Sequence, residues 1–311
     1  MQFDRRAFLQ GMAGLAVAAP RAFAFANDRK RTRLILLGTR GGPRVVDDNR
    51  STSSVLLVIN DVPYVVDCGY GTSRRLLAAG IPLNTVRYIF ITHHHSDHNL
   101  EYGPLFYNGW VSGAPSRVDS YGPPGLVKMT AAFFESMKID IETRIVDEGR
   151  PDPRTRLFPH DIDKPGLVLQ NEDVKVTAAQ VPHPMIEHAY AYRFDAADRS
   201  IVISGDTAYS EALADLAKDA DVLVHEIMYL PAIDALLKRV PNAARLREHL
   251  LVSHTAPEDV GKVAARANVK TLVLYHFVPA DAGAVTDEQW MHGVRKHFRG
   301  RIILGRDLME V

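Results

Sequence analysis

The sequence predicts an α/β fold, a four-layer αββα sandwich. Three observations carry the prediction. The 311 residues are 46% hydrophobic, enough to fill one large domain or two small ones. Short β-branched or aromatic runs alternate with amphipathic stretches in two halves of similar style, and such halves pack as two sheets with helices outside. Several of the apolar runs end directly in clusters of His and Asp, as buried strands do where side chains gather at their ends.

The first 26 residues form a separate object. Asp4-Arg5-Arg6-Ala7-Phe8-Leu9 places paired arginines before a short apolar run, and residues 11–19 are small and apolar but too short to span a bilayer comfortably. Ala22-Phe23-Ala24 and Ala24-Phe25-Ala26 both have the small-x-small form of a cleavage site. The arrangement resembles a bacterial Tat signal, which implies the Tat export machinery as a partner and a periplasmic location. Residues 27–311 are then the working domain. Cleavage would remove three arginines and one aspartate and leave the chain close to neutral.

Residues 33–37 read as an apolar strand, and 39–49, with glycines, a proline and charges, as an exposed loop. Strands at 55–59 and 62–66 flank Asn60-Asp61, a two-residue hairpin signal. A helix over 72–79 is closed by Gly80, and a strand follows at 86–91. The stretch 100–116 holds Tyr102, Phe106, Tyr107 and Trp110, which either line the mouth of a site or pack as the core face of a helix. A strand at 117–121 precedes a helix over 125–137, where Leu126, Met129, Phe133 and Met137 share a face. Residues 147–165 carry four prolines and read as a surface loop between the halves. The second half gives strands at 174–178, 189–194, 201–204, 222–224, 271–274 and 301–304. Its helices fall at 210–218, with Ser210 as N-cap, and at 257–267 and 289–298.

The densest chemistry is Thr92-His93-His94-His95-Ser96-Asp97-His98. His93 and His95 are two residues apart and point the same way if the loop is extended. Asp97 and His98 follow after a turn and can face a second point close by. Imidazole and carboxylate suit Zn²⁺, and two adjacent points suit two ions.

The spacing His93-x-His95-x-Asp97-His98 resembles the H-x-H-x-D-H signature of the metallo-β-lactamase fold superfamily. Three later residues fall in that family's order: His183 in Val181-Pro182-His183-Pro184, Asp206 in Ser204-Gly205-Asp206-Thr207, and His276 in Leu274-Tyr275-His276-Phe277. Within the superfamily, Leu37-Gly38-Thr39, His225-Glu226 and His254-Thr255-Ala256 are similar to the ribonuclease Z and arylsulfatase-type branch. The resemblance implies a first zinc on His93, His95 and His183, and a second on Asp97, His98 and His276, with Asp206 bridging. It leaves room for a shared hydroxide as nucleophile and for substrate. Mn²⁺ or Fe would also suit these ligands. It further implies that His254 meets the substrate, stabilising the transition state or protonating the leaving group. Glu226, and also Asp67, would orient a histidine. His94 should point away. His225, His188 and Glu187 lie near the motifs without an assigned role. His160, His249, His292 and His297 read as surface histidines.

Lys plus Arg equals Asp plus Glu at 37 each, so no net basic field draws nucleic acid. Residues 147–165 also lack the long Gly- and Pro-rich arm of ribonuclease Z proteins. The leading expectation is therefore a dinuclear zinc hydrolase of small anionic esters, arylsulfatase-like or a phosphodiesterase, with nucleic acid disfavoured as a partner. The alternatives are a ribonuclease Z-type tRNA 3′-processing endonuclease, a lactonase or β-lactamase, and a non-catalytic metal-binding protein on the same fold. The family resemblance allows a dimer. Cys68 is the single cysteine, which excludes an intrachain disulfide and reads as a buried, inert thiol.

Overall fold

The computed structural model describes residues 31–45, 50–113, 116–281 and 285–311. The signal-peptide reading of 1–26 lies outside them. Fourteen strands are present among the described residues. They are β1 (Arg33–Gly38), β2 (Ser54–Ile59), β3 (Val62–Val66), β4 (Tyr88–Phe90), β5 (Val118–Gly122) and β6 (Leu157–Asp161), then β7 (Gly166–Gln170), β8 (Val174–Gln180), β9 (Tyr190–Ala196), β10 (Ser200–Ile203), β11 (Val222–Met228), β12 (Thr271–Val278), β13 (Arg301–Leu304) and β14 (Met309–Glu310).

The first six strands lie in chain order in one seven-stranded sheet, and β7 to β13 in the other. The last strand, β14, returns to pair with β1 and ties the chain's end to the first sheet. Helices cover both outer faces, so the αββα expectation holds. The core between the sheets is aromatic where it matters most. Phe90 on β4 meets Phe194 of β9 edge-on at 5.2 Å and Tyr192 at 5.4 Å. The Tyr192 hydroxyl donates to the Ile91 carbonyl at 2.8 Å, and Tyr190 N–H to Thr92 O at 2.9 Å. These bonds pin the chain leaving β4, the start of the His-rich motif, against the opposite sheet.

Local chemistry explains the elements that the sequence places correctly. Asn60 and Asp61 both take positive φ, 51° and 66°, as a two-residue hairpin turn requires. The Ser210 side chain accepts from Leu213 N–H at the start of the helix Glu211–Leu216. Other expectations need correction. Residues 147–165 are not a loop throughout. The helix Lys138–Glu148 runs into them, and β6 forms the sheet's edge, the position where Pro159 removes no ladder bond. The stretch 39–49 is not wholly exposed. Thr39 and Arg40 are buried, and Arg40 bridges to Thr52 and Phe277 as a strap across the strand ends. The helix Tyr102–Val111 turns Tyr102, Phe106 and Trp110 into the core, which favours packing over the site-mouth reading. Two helices, Ile233–Leu237 and Leu246–Ser253, stand where the sequence shows no periodic apolar signal. Strands β11 and β12 extend past 224 and 274, so His225, Glu226 and His276 lie within strands.

Candidate metal centre

Strands β3, β4 and β5 run parallel, as do β10, β11 and β12, and residues near their carboxyl ends converge at one edge of the sandwich. His93 and His95 leave β4, and Asp97 and His98 sit on the single-turn helix Ser96–Asn99. His183 follows β8, and Asp206 follows β10.

Two local distortions aim Asp206 and His276 at one point. Gly205 has φ 60°, and a Cβ there would lie 2.9 Å from Tyr190 O and 3.0 Å from the Thr92 side chain. Only glycine turns the chain tightly enough to deliver Asp206. His276 has φ 45°, rare for a residue with a side chain. It is also where the β11–β12 register slips, Glu226 facing Tyr275 and Ile227 facing Phe277. The bulge turns the imidazole into the site.

Two groups of donor atoms share Asp206, and a third, Glu226 with His254 and His276, touches the second through His276. In the first, His93 Nε2 and His95 Nδ1 are 3.0 Å apart, His183 Nε2 is 3.1 Å from His95 Nδ1, and Asp206 Oδ2 is 3.8 Å from His93 Nε2. In the second, His276 Nε2 lies 3.2 Å from His98 Nε2, 3.3 Å from Asp97 Oδ2 and 3.2 Å from Asp206 Oδ1. Bonds of about 2.1 Å to a tetrahedral ion place neighbouring donors about 3.4 Å apart. The spacing therefore fits an ion in each group. The chemistry of the donors agrees. Asp206 Oδ1 is buried without a hydrogen-bond partner, and the Nε2 atoms of His183 and His276 face His95 Nδ1 and Asp97 Oδ2. Such a crowd of lone pairs is stabilised by a cation.

The supporting contacts are specific. His98 Nδ1 donates to Asp67 Oδ2 at 2.8 Å, which directs Nε2 toward the second group. Asp67 is itself held by Thr92, whose N–H donates at 2.8 Å and whose hydroxyl donates at 2.9 Å. Gly42 N–H donates to Asp97 Oδ2 at 2.9 Å, so the strap reaches the site through its backbone. His94 turns away, its Nε2 3.2 Å from the Pro123 carbonyl.

Electrostatics divide the two groups. Burial pushes His93 and His95 below the ordinary imidazole range and His183 down to about 3, leaving them neutral and ready to donate lone pairs. Burial would also lower His98, but Asp206, Asp67 and Asp97 around it raise it well above that range. Without metal, His98 therefore keeps its proton at neutral pH and must release it to expose Nε2. Loading zinc into the metal-free protein near neutral pH should release about one proton per chain from His98, besides any that a metal-bound water gives up. Calorimetry in buffers of different ionisation heats measures this directly. Heats independent of the buffer would contradict the assignment to His98.

His254 lies between the helices Leu246–Ser253 and Pro257–Arg266. Its Nδ1 is 3.4 Å from Glu226 Oε2, and Glu226 Oε1 accepts from Thr255 N–H at 2.8 Å. Burial disfavours the imidazolium, but Glu226, with Asp206 and Asp97 beyond, pushes His254 up to about 9. His254 lines the cavity beside the donor groups, and Glu226, wholly buried behind it, does not. Glu226 is thus placed to act through His254. His249, read from sequence as a surface residue, faces the same cavity. Its ring centroid is 5.6 Å from that of His95 and 5.7 Å from that of His183. No motif surrounds it, and only the packing of its helix brings it there. His225 belongs to none of the donor groups. Its Nδ1 donates to the Glu226 carbonyl at 2.6 Å, and burial lowers it to about 4. Cys68 is fully buried, and burial raises its thiol well above the ordinary range, as an inert core residue requires.

Residues 47–274 match the metallo-beta-lactamase superfamily. The chain belongs to that superfamily. A ribonuclease Z of Mycobacterium avium (strain 104) is 32% identical over 282 residues, covering 89% of this chain and 96% of that one. A ribonuclease Z of Mycobacterium bovis (strain BCG / Pasteur 1173P2) is 29% identical over 281 residues, covering 89% and 97%. Among solved structures, the metallo-beta-lactamase fold protein YhfI of Bacillus subtilis superposes with TM-score 0.68 at 18% identity, covering 91% of this chain and all of that one. The short form of human tRNase Z does so with TM-score 0.63 at 21% identity, covering 90% and 98%. The structural likenesses carry the fold alone. The superfamily match and these relatives make this chain a metal-dependent hydrolase acting on phosphodiester or ester bonds.

Proposed function

We propose that this metallo-beta-lactamase superfamily member is a dinuclear phosphodiesterase of the ribonuclease Z type, with RNA among its substrates. The observation that carries the reading is the 32% identity to a ribonuclease Z over 96% of that protein's length. It displaces two expectations drawn from sequence. The relatives reported above carry the name ribonuclease Z, not arylsulfatase. The exclusion of nucleic acid rested on the missing arm in residues 147–165 and on net charge, which is a sum over the whole surface and says nothing of one face. Arg40 and Arg44 line the cavity at the donor groups, and Arg50, Arg74 and Arg75 line a second cavity across the strap. Arginines are therefore gathered beside the site, Arg40 and Arg44 within reach of Asp281 and Arg75 of Asp307.

In this reading His93, His95, His183 and Asp206 hold one ion, and Asp97, His98, His276 and Asp206 the other. Zinc held there supplies Lewis acidity and a nucleophilic water at neutral pH. The protein's own share is orientation and proton transfer. Asp206 spans both groups with its two oxygens, and the Gly42 N–H fixes Asp97. His254 keeps its proton beside Glu226 and faces the cavity, where it can protonate the departing oxygen. The test compares bis(p-nitrophenyl) phosphate, p-nitrophenyl sulfate and a tRNA precursor with a 3′ trailer on the zinc-loaded protein. The diester and the precursor should be cleaved well above the sulfate. Turnover of the sulfate alone would reinstate the arylsulfatase reading.

We also propose that residues 1–26 act as a Tat signal, on the strength of Arg5-Arg6 and the small-x-small sites. Replacing Arg5 and Arg6 together by lysine should retain the protein in the cytoplasm, as fractionation would reveal. Undiminished periplasmic delivery would sink the assignment.

A further inference from the structure

The helices Ile233–Leu237 and Leu246–Ser253 roof one side of the donor groups, and a cavity of about 310 Å³ lies beneath them. Its two ends differ in kind. One end is formed by His95, Asp97, Asp206 and His254. The other, under the two helices, is aliphatic, lined by Leu236, Val240, Ala243, Leu246, Leu250 and Val278, while Arg40, Arg44 and Asp281 line the cavity from the strap and the end of β12. Leu250 and Val278 belong to a small core with Met228 and Ile233, which anchors the roof to β11 and β12. Leu236, Val240 and Leu246 are only half-buried, and the surface they leave faces this cavity. His249 stands at the border, its ring 6.0 Å from that of His254.

Water gains few hydrogen bonds against aliphatic walls, so such a space favours an apolar occupant. The whole cavity, donor end included, is about 310 Å³, and an apolar cavity of about 150 Å³ already holds benzene. The geometry points to an apolar subsite. We infer that this chamber takes an aryl or branched alkyl group carried by the phosphoryl group that sits at the donor end, and so selects among phosphodiesters. The inference rests on the phosphodiesterase reading for its headgroup, while the chamber's preference for an apolar substituent can be measured without turnover.

The probes are phenylphosphonate and methylphosphonate, which share charge and headgroup, titrated calorimetrically into the zinc-loaded full chain. Phenylphosphonate should bind about tenfold tighter or more, the discrimination usual for an extra apolar group in a fitted pocket. Ala243→Trp fills the aliphatic end and Val240→Asp makes it polar. Each should erase the phenyl preference while leaving zinc content and methylphosphonate affinity unchanged. Either variant suffices if the other fails to fold. Equal affinities in the parent protein, no heat from either probe, or a phenyl preference that survives both variants would overturn the subsite. A phenyl preference in a protein that cleaves no diester would leave the subsite standing and remove the phosphodiesterase reading. Cleavage of phenyl and methyl p-nitrophenyl phosphates without the binding preference would do the reverse.

Discussion

Asp206→Ala should remove metal and activity together. Asp206 offers Oδ2 to His93 and His98 at 3.8 and 3.3 Å and Oδ1 to His276 at 3.2 Å, so one carboxylate serves both donor groups. It is 2% exposed, which bars water from taking its place freely. Burial would raise its pKa, but His276, His98 and His93 hold it well below the ordinary range, so it is ionised at any working pH. Its loss leaves the histidines of the first group with no anion among them and those of the second with Asp97 alone. The drop in activity should exceed the roughly 10–100-fold cost of losing a residue that merely supports a ligand. Metal analysis of the purified variant should show fewer than about two ions per chain, the complement of a dinuclear site. Full metal content with full turnover would refute the shared-ligand assignment.

His254→Ala should give the opposite pairing of results, with metal retained and turnover lost. His254 lies at the cavity, and its nearest charged partner is Glu226, at 3.4 Å. A positioned proton donor contributes roughly 10²–10⁴-fold. The loss should fall on kcat more than on KM, because the donated proton matters only as the leaving oxygen develops charge. It should shrink for nitrophenolate, a leaving group that needs little protonation, and be largest for a ribose oxygen. Glu226→Gln should keep metal and lower the pH at which activity declines, because the neutral amide no longer holds the imidazolium. Steady-state rates on a good and a poor leaving group, with metal content measured in parallel, separate the outcomes. Zinc loss in His254→Ala would make His254 a ligand. An equal loss on both leaving groups would make it a stabiliser of the transition-state charge and not the acid.

Features that local chemistry controls were legible along the chain. Asn60-Asp61 makes its turn wherever it is placed, because the two residues tolerate positive φ. Four of the seven donor residues lie within His93 to His98, one stretch at the end of one strand, so their identity and order were legible. The αββα class followed from the alternation of apolar runs. Contacts between distant parts of the chain were decided only by the tertiary structure. Asp97 and His276 are 179 residues apart and meet because a register slip between β11 and β12 turns His276 inward. Glu226 reaches His254 because β11 continues past the point where its apolar run seemed to end. His249 and the aliphatic chamber depend on two short helices whose few apolar residues gave no periodic signal and whose stability comes from packing on β11 and β12. Net charge misled for the same reason. It counts residues, while recognition depends on which of them the fold gathers on one face.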